Sequence, residues 1–73
     1  MTEREAWQFK DSLVIRDTII TVEHRDCDLA RRVSRPFDGM KRQLRRGRAL
    51  TSKQARWVND VRRQLGLESY RFG

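Results

Sequence analysis

The apolar positions of this chain follow two different periods. From Ser12 to Glu23 the sequence is rich in β-branched side chains, the composition that strands prefer. A turn at Arg16-Asp17 would put Leu13, Ile15, Ile20 and Val22 on one face, with Ser12, Val14, Ile19 and Thr21 on the other. That alternation predicts a β-hairpin, although Arg-Asp lacks the glycine that tight hairpin turns favour. Two strands are marginal alone and would have to pack on helices. They would also leave an edge that another chain could extend. Residues 1–11 carry two patterns. Thr2 and Glu5 match a capping box, with Ala6, Phe9 and Leu13 on one helical face. Trp7 and Phe9 also alternate with Gln8 and Lys10, and an extended or loosely held arm is the preferred reading. His24 to Asp28 reads as a polar connector, in which Asp26 or Asp28 would cap a short helical stretch from Leu29 to Val33.

Beyond Val33 the period becomes helical. Ser34 and Pro36 form a start signal, since proline fits the first helical turn. Phe37, Met40 and Leu44 then recur on one face, and Gly47 supplies a stop where the backbone turns left-handed. A second helix opens at Thr51, whose spacing to Gln54 matches a capping box, with Leu50 and Ala55 at the staple positions. Gln54, Val58, Val61 and Leu65 line one face of it, with Trp57 beside them. Lys53, Arg56, Asp60 and Arg63 line another, and Gly66 closes the helix. The tail from Leu67 onward either packs Tyr70 or Phe72 back or stays disordered. The expected architecture is a small, mostly helical α+β domain over residues 1–73. A β-hairpin or short strands precede a basic helix-turn-helix-like pair. The divisions are an arm at 1–11, hairpin and connector at 12–30, helical pair at 31–66 and tail at 67–73.

Length and charge narrow the function. At 73 residues the chain forms one domain with a small core, too small to enclose both a substrate and a cofactor. The formal charge is +7, and it is unevenly placed. Residues 1–30 carry a net −3, and residues 31–73 a net +10. Of the 17 basic side chains 14 are arginine, whose planar fork suits phosphate and carboxylate and stacks on rings. A purely solubilising surface would mix both signs more evenly. One cysteine, Cys27, cannot staple the fold to itself, which points to a reducing, cytosolic setting. The longest apolar run, Leu13 to Val22, is broken by Arg16 and Asp17 and is too short to span a membrane. The start, Thr2-Glu3-Arg4-Glu5, is not a signal peptide.

Catalytic equipment is thin. His24, Asp26, Cys27 and Asp28 are chemically suited to a metal or a Cys–His pair. Structural zinc needs four ligands in separated pairs, however, and neighbours three apart in a connector rarely meet as nucleophile and base. No glycine loop would cradle a phosphate, and no carboxylate pair has a pocket that would raise one pKa. No catalytic residue, metal or cofactor is therefore expected. The candidate partner-binding residues are Arg31, Arg32, Arg35, Arg42, Arg45, Arg46, Arg48, Lys53, Arg56 and Arg63, with Arg62 beside them. A basic helix of such a pair enters a DNA groove, or its ends lie along phosphates. Few Asn or Gln residues accompany the arginines, so base-specific reading is weakly signalled. The acidic surface of a protein is an equal match. Trp57 would stack on a base or, as its spacing from Val58 and Val61 favours, join the core. The sequence leaves the oligomeric state open, with a monomer favoured.

The segment Phe37-Asp38-Gly39-Met40, Gln43-Leu44, Arg46-Gly47 and Leu50 through Val58 resembles a helical pair in small phage-encoded proteins of nucleic-acid transactions. It covers about half of the chain. In length, charge and lack of catalytic equipment, the whole chain resembles the small RNA-polymerase-binding transcription regulators of lytic Xanthomonas phage. That resemblance implies binding to the large subunits of bacterial RNA polymerase near the RNA exit channel. It also implies hindrance of sigma-dependent initiation, antitermination, contact with nascent RNA or DNA, and action in the host cytoplasm. It transfers no individual contact residue.

Overall fold

The β-branched segment is helical. The computed structural model describes residues 3–72 and the side chains of residues 6–72. It contains three helices: α1 Glu3–Arg25, α2 Cys27–Arg45 and α3 Ser52–Gln64. Among the described residues there is no strand, so the expected hairpin and the α+β class are replaced by an all-helical fold. Residues 3–11, read as an extended arm, are the first turns of α1. Thr2 of the suggested capping box lies outside the described residues.

Why α1 is a helix follows from its buried line. Asp11, Ile15, Thr18 and Val22 are buried and Trp7 is half-buried, at steps of four and three that keep them on one helical face. Two of these five positions are polar, while Phe9, Leu13 and Ile20 lie outside, so the apolar residues trace no single stripe. A β-branched residue weakens a helix by only a few tenths of a kcal/mol, whereas burying Ile15 or Val22 is worth about 1.5–3 kcal/mol. Packing therefore overrides propensity. The threonines satisfy their hydroxyls within the helix: Thr18 donates to the Val14 carbonyl at 2.7 Å and Thr21 to the Asp17 carbonyl at 2.8 Å.

Asp26 is the whole joint between α1 and α2. Its extended backbone (φ −151°, ψ 95°) breaks the helix, and its side chain caps α2 by accepting from the Leu29 N–H at 3.1 Å. Helix α2 thus starts at Cys27, nine residues before Pro36, and Pro36 sits in the helix interior instead of its first turn. The connector expected at 24–28 shrinks to one residue. The two helices pack antiparallel, and Gln8 near the start of α1 donates to the Leu44 carbonyl near the end of α2 at 2.7 Å.

Helix α3 approaches α1 with its backbone and meets α2 through side chains. The core joins Ile15 and Val22 of α1 to Val33, Phe37, Met40 and Leu44 of α2, and to Val58 and Val61 of α3 with Leu65 just beyond it. Trp57 belongs to its margin, edge-on to Phe37 with ring centroids 5.0 Å apart. Both helix stops are Schellman turns. Gly47 (φ 82°) follows α2, where the Arg48 N–H reaches the Gln43 carbonyl at 3.1 Å. Gly66 (φ 77°) follows α3, where the Leu67 N–H reaches the Arg62 carbonyl at 2.8 Å. The tail returns to the body: Tyr70 exchanges hydrogen bonds with Asn59 (2.8 and 2.9 Å), and its hydroxyl donates to Asp11 at 3.1 Å.

Candidate functional site

The turn between α2 and α3 is fixed by a clasp of two amides. Gln43 Nε2 donates to Gln54 Oε1 at 3.1 Å, and Gln54 Nε2 donates to Gln43 Oε1 at 3.0 Å. Gln43 also donates to the Ala49 carbonyl at 2.9 Å. Gln54 completes the capping box of α3, accepting from the Thr51 N–H at 2.9 Å while Thr51 Oγ1 accepts from the Gln54 N–H at 3.1 Å. Residues 46–51 are thereby held at both ends, and with them the backbone from which Arg46 and Arg48 project.

This turn gathers arginines. Arg42, Arg46 and Arg48, with Gly39 and Gln43, surround an open concavity of about 300 Å³. An adjoining hollow is lined by Asp38, Lys41, Arg42 and Arg45. The end of α2 and the following turn thus present Lys41, Arg42, Arg45, Arg46 and Arg48 as neighbours. Part of this arrangement serves the helix itself, since cations in the last turn favour its partial negative end. Five cations close together exceed what one helix end needs.

All ten candidate side chains are exposed. Among the described residues only Arg63 of the ten has a side-chain partner, an ion pair with Asp60 one turn earlier. The fold does not bring the ten together as one patch. Arg31 and Arg35 share the outward face of α2 with Arg42 and Arg45, but Arg31 lies about 16 Å along the axis from Arg42. Arg32 points to the flank of that face. Arg56 and Arg63 occupy the outward face of α3, and Lys53 rims an apolar groove with Pro36, Met40 and Trp57.

Two arginines prove structural. Arg62 is half-buried and donates to Thr18 Oγ1 at 2.9 Å and to the Glu68 carbonyl at 2.8 Å. Arg25 donates to the Leu65 carbonyl at the end of α3. Arg62 is thus committed to the fold, while Arg25 ties α1 to the end of α3 and stays exposed. Conversely, Lys41 was not among the expected residues, yet it lines two of the basic hollows. Its position four residues before Arg45 on a helix is the signal that places it there.

His24, Asp26, Cys27 and Asp28 are all exposed around the α1–α2 joint. Among the described residues no group of three or more His, Cys, Asp and Glu is placed to hold a metal ion. Burial, followed by the hydrogen bond to Asp11 and the nearby Asp11 charge, raises the Tyr70 phenol above its ordinary pKa. No helix among the described residues is long and apolar enough to cross a membrane. Comparison with protein-family models, curated proteins and solved structures returns no match, so the surface is interpreted from its own chemistry.

Proposed function

We propose that this chain is a regulator of transcription that binds bacterial RNA polymerase and acts by occupancy, not catalysis. The observation that carries the reading is the run of half-buried Lys41 and exposed Arg42, Arg45, Arg46 and Arg48, at the end of α2 and on the turn that the Gln43–Gln54 clasp holds, with no ion-pair partner among the described residues. A backbone held in this way presents the cations from fixed Cα positions, so binding carboxylates or phosphates orders the side chains but not the turn that bears them. The likeness to phage regulators directs the choice of partner to the polymerase large subunits near the RNA exit channel. A small wedge there competes with sigma and keeps a terminator hairpin from forming in the channel. The setting is the cytoplasm of the bacterial host.

The test is transcription in vitro on a template with one sigma-dependent promoter and one intrinsic terminator. The expected result is fewer initiated transcripts when the chain is added before sigma-holoenzyme forms, and increased read-through when it is added to elongating complexes. Normal initiation and normal termination at saturating protein would overturn the reading.

A second reading is a small basic protein acting directly on nucleic acid, favoured by the concavity that three arginines share. It predicts binding to naked duplex with a log–log salt slope of about 0.9 per neutralised phosphate, and survival of a sequence-preferring complex at moderate salt. Sequence-blind binding that disappears at moderate salt is the background expected of any +10 surface.

A further inference from the structure

We infer that the outward face of α1, with the adjoining edge of α2, binds an acidic amphipathic helix of a partner protein. The inference does not depend on the polymerase reading.

Phe9, Leu13 and Ile20 are the large apolar side chains exposed among the described residues, at 59%, 40% and 42%. Single exposed apolar residues are ordinary, but these three lie on one line. Together with Arg16 they step by four, three and four residues, the spacing of a coiled-coil seam. The seam lies on the side of α1 opposite Asp11, Ile15, Thr18 and Val22, so the core does not use it. Helix α1 accordingly carries two faces, one packed and one bare.

The shape and charge of the bare face select the occupant. Phe9, Ser12, Leu13 and Arg16 form one side of a groove of about 510 Å³, and Lys41 and Arg45 of α2 form the other. Its lining combines the apolar Phe9 and Leu13 with the cations Arg16, Lys41 and Arg45, all towards the amino-terminal end of the seam. Asp17 and Glu23 lie towards the Ile20 end. A matching helix would place apolar residues along the seam and carboxylates opposite Arg16, Lys41 and Arg45, which also fixes its direction.

Other occupants fit less well. A second copy paired in parallel would bring Arg16, Lys41 and Arg45 of both chains together, and a pair in either direction joins molecules already at +7. A lipid surface calls for a polar face rich in Lys and Arg, whereas α1 has five carboxylates against four such cations. Nucleic acid finds one ring, Phe9, on a seam whose other apolar members, Leu13 and Ile20, are aliphatic and offer nothing to stack on.

The experiment uses the full chain and two labelled three-heptad peptides with leucine at the seam positions. One carries glutamate at the flanking positions and the other lysine, and binding is read by fluorescence anisotropy. The glutamate peptide should bind at least about tenfold more tightly than the lysine peptide, and Leu13→Ser should weaken it by about tenfold with helicity unchanged. Because Leu13 is exposed, that variant is expected to fold, and Phe9→Ser provides an independent second variant. Equal affinity for both peptides, no binding at millimolar peptide, or indifference to both substitutions would overturn the inference. So would a dimer in sedimentation equilibrium that Leu13→Ser dissociates, or a preference for anionic vesicles over the glutamate peptide.

Discussion

Arg62 and Thr18, 44 positions apart, meet at 2.9 Å where α3 lies on the buried face of α1. Thr18 is fully buried, and its hydroxyl donates to its own helix while accepting from the guanidinium. The same guanidinium reaches on to the Glu68 carbonyl, so one side chain ties together α1, α3 and the start of the tail. Charge alone groups Arg62 with its neighbour Arg63, and the fold separates them: one is a strut, the other faces solvent.

Replacing Arg62 with Met, or Thr18 with Val, should therefore lower stability by about 1–3 kcal/mol, the range for losing a hydrogen bond to a charged group and leaving its partner unmatched. Arg56→Met, on the outward face of α3, should stay within about 0.5 kcal/mol. Urea unfolding followed by circular dichroism distinguishes the two classes.

The Tyr70–Asp11 contact gives stability a pH dependence. The Tyr70 pKa is raised in the folded chain, so the folded state holds the phenolic proton more tightly than the unfolded state does. This contribution is fully present below the unfolded value of about 10 and is lost as pH rises through the higher folded value. Unfolding midpoints measured between neutral pH and the alkaline range should decline above about 10. In Tyr70→Phe that part of the decline should disappear, and a slope unchanged by the substitution would count against the contact.

Two residues weaken the middle of α2. Pro36 has no N–H to offer the Arg32 carbonyl, and Gly39 sits in a helix with nothing within 4 Å of where a Cβ would stand. Gly39→Ala should raise stability by about 0.5–1 kcal/mol, and Pro36→Ala by about 1–3 kcal/mol. Thermal melts of the two variants, alone and combined, test both values.

The amide clasp positions the basic turn without carrying charge. Gln54→Ala removes the reciprocal hydrogen bonds with Gln43 and half of the capping box. Partner affinity should fall several-fold while the slope of affinity against salt stays unchanged, because no cation has been removed. A parallel loss in slope would mean that Gln54 touches the partner itself.

The α3 signals were legible because they are local. The Thr51–Gln54 capping box and the glycines at 47 and 66 depend on a few adjacent backbone groups, and their geometry follows from residue type. Helix α1 was not legible, because its evidence is nonlocal. Asp11 and Thr18 occupy core positions, satisfied by partners that include Tyr70 and Arg62 far along the chain, while Phe9, Leu13 and Ile20 point outward. A pattern that counts apolar residues alone reads that segment as a hairpin. Pro36 misled for a related reason: its usual place is the first turn, yet the core contacts of Val33 and Phe37 keep the helix continuous around it. In the basic surface, residue type identified the arginines, but only the packing separated Arg62 from the exposed set, while the helical spacing of Lys41 to Arg45 is the signal that places half-buried Lys41 beside them.

The most direct measurement is retention of purified bacterial RNA polymerase, nuclease-treated and at moderate salt, by the immobilised chain and by its Arg42→Glu/Arg46→Glu/Arg48→Glu variant. The account predicts that polymerase is retained by the first without nucleic acid and lost by the second, with the two chains equally helical. Retention that needs added DNA or RNA, or that survives the triple reversal, would contradict it.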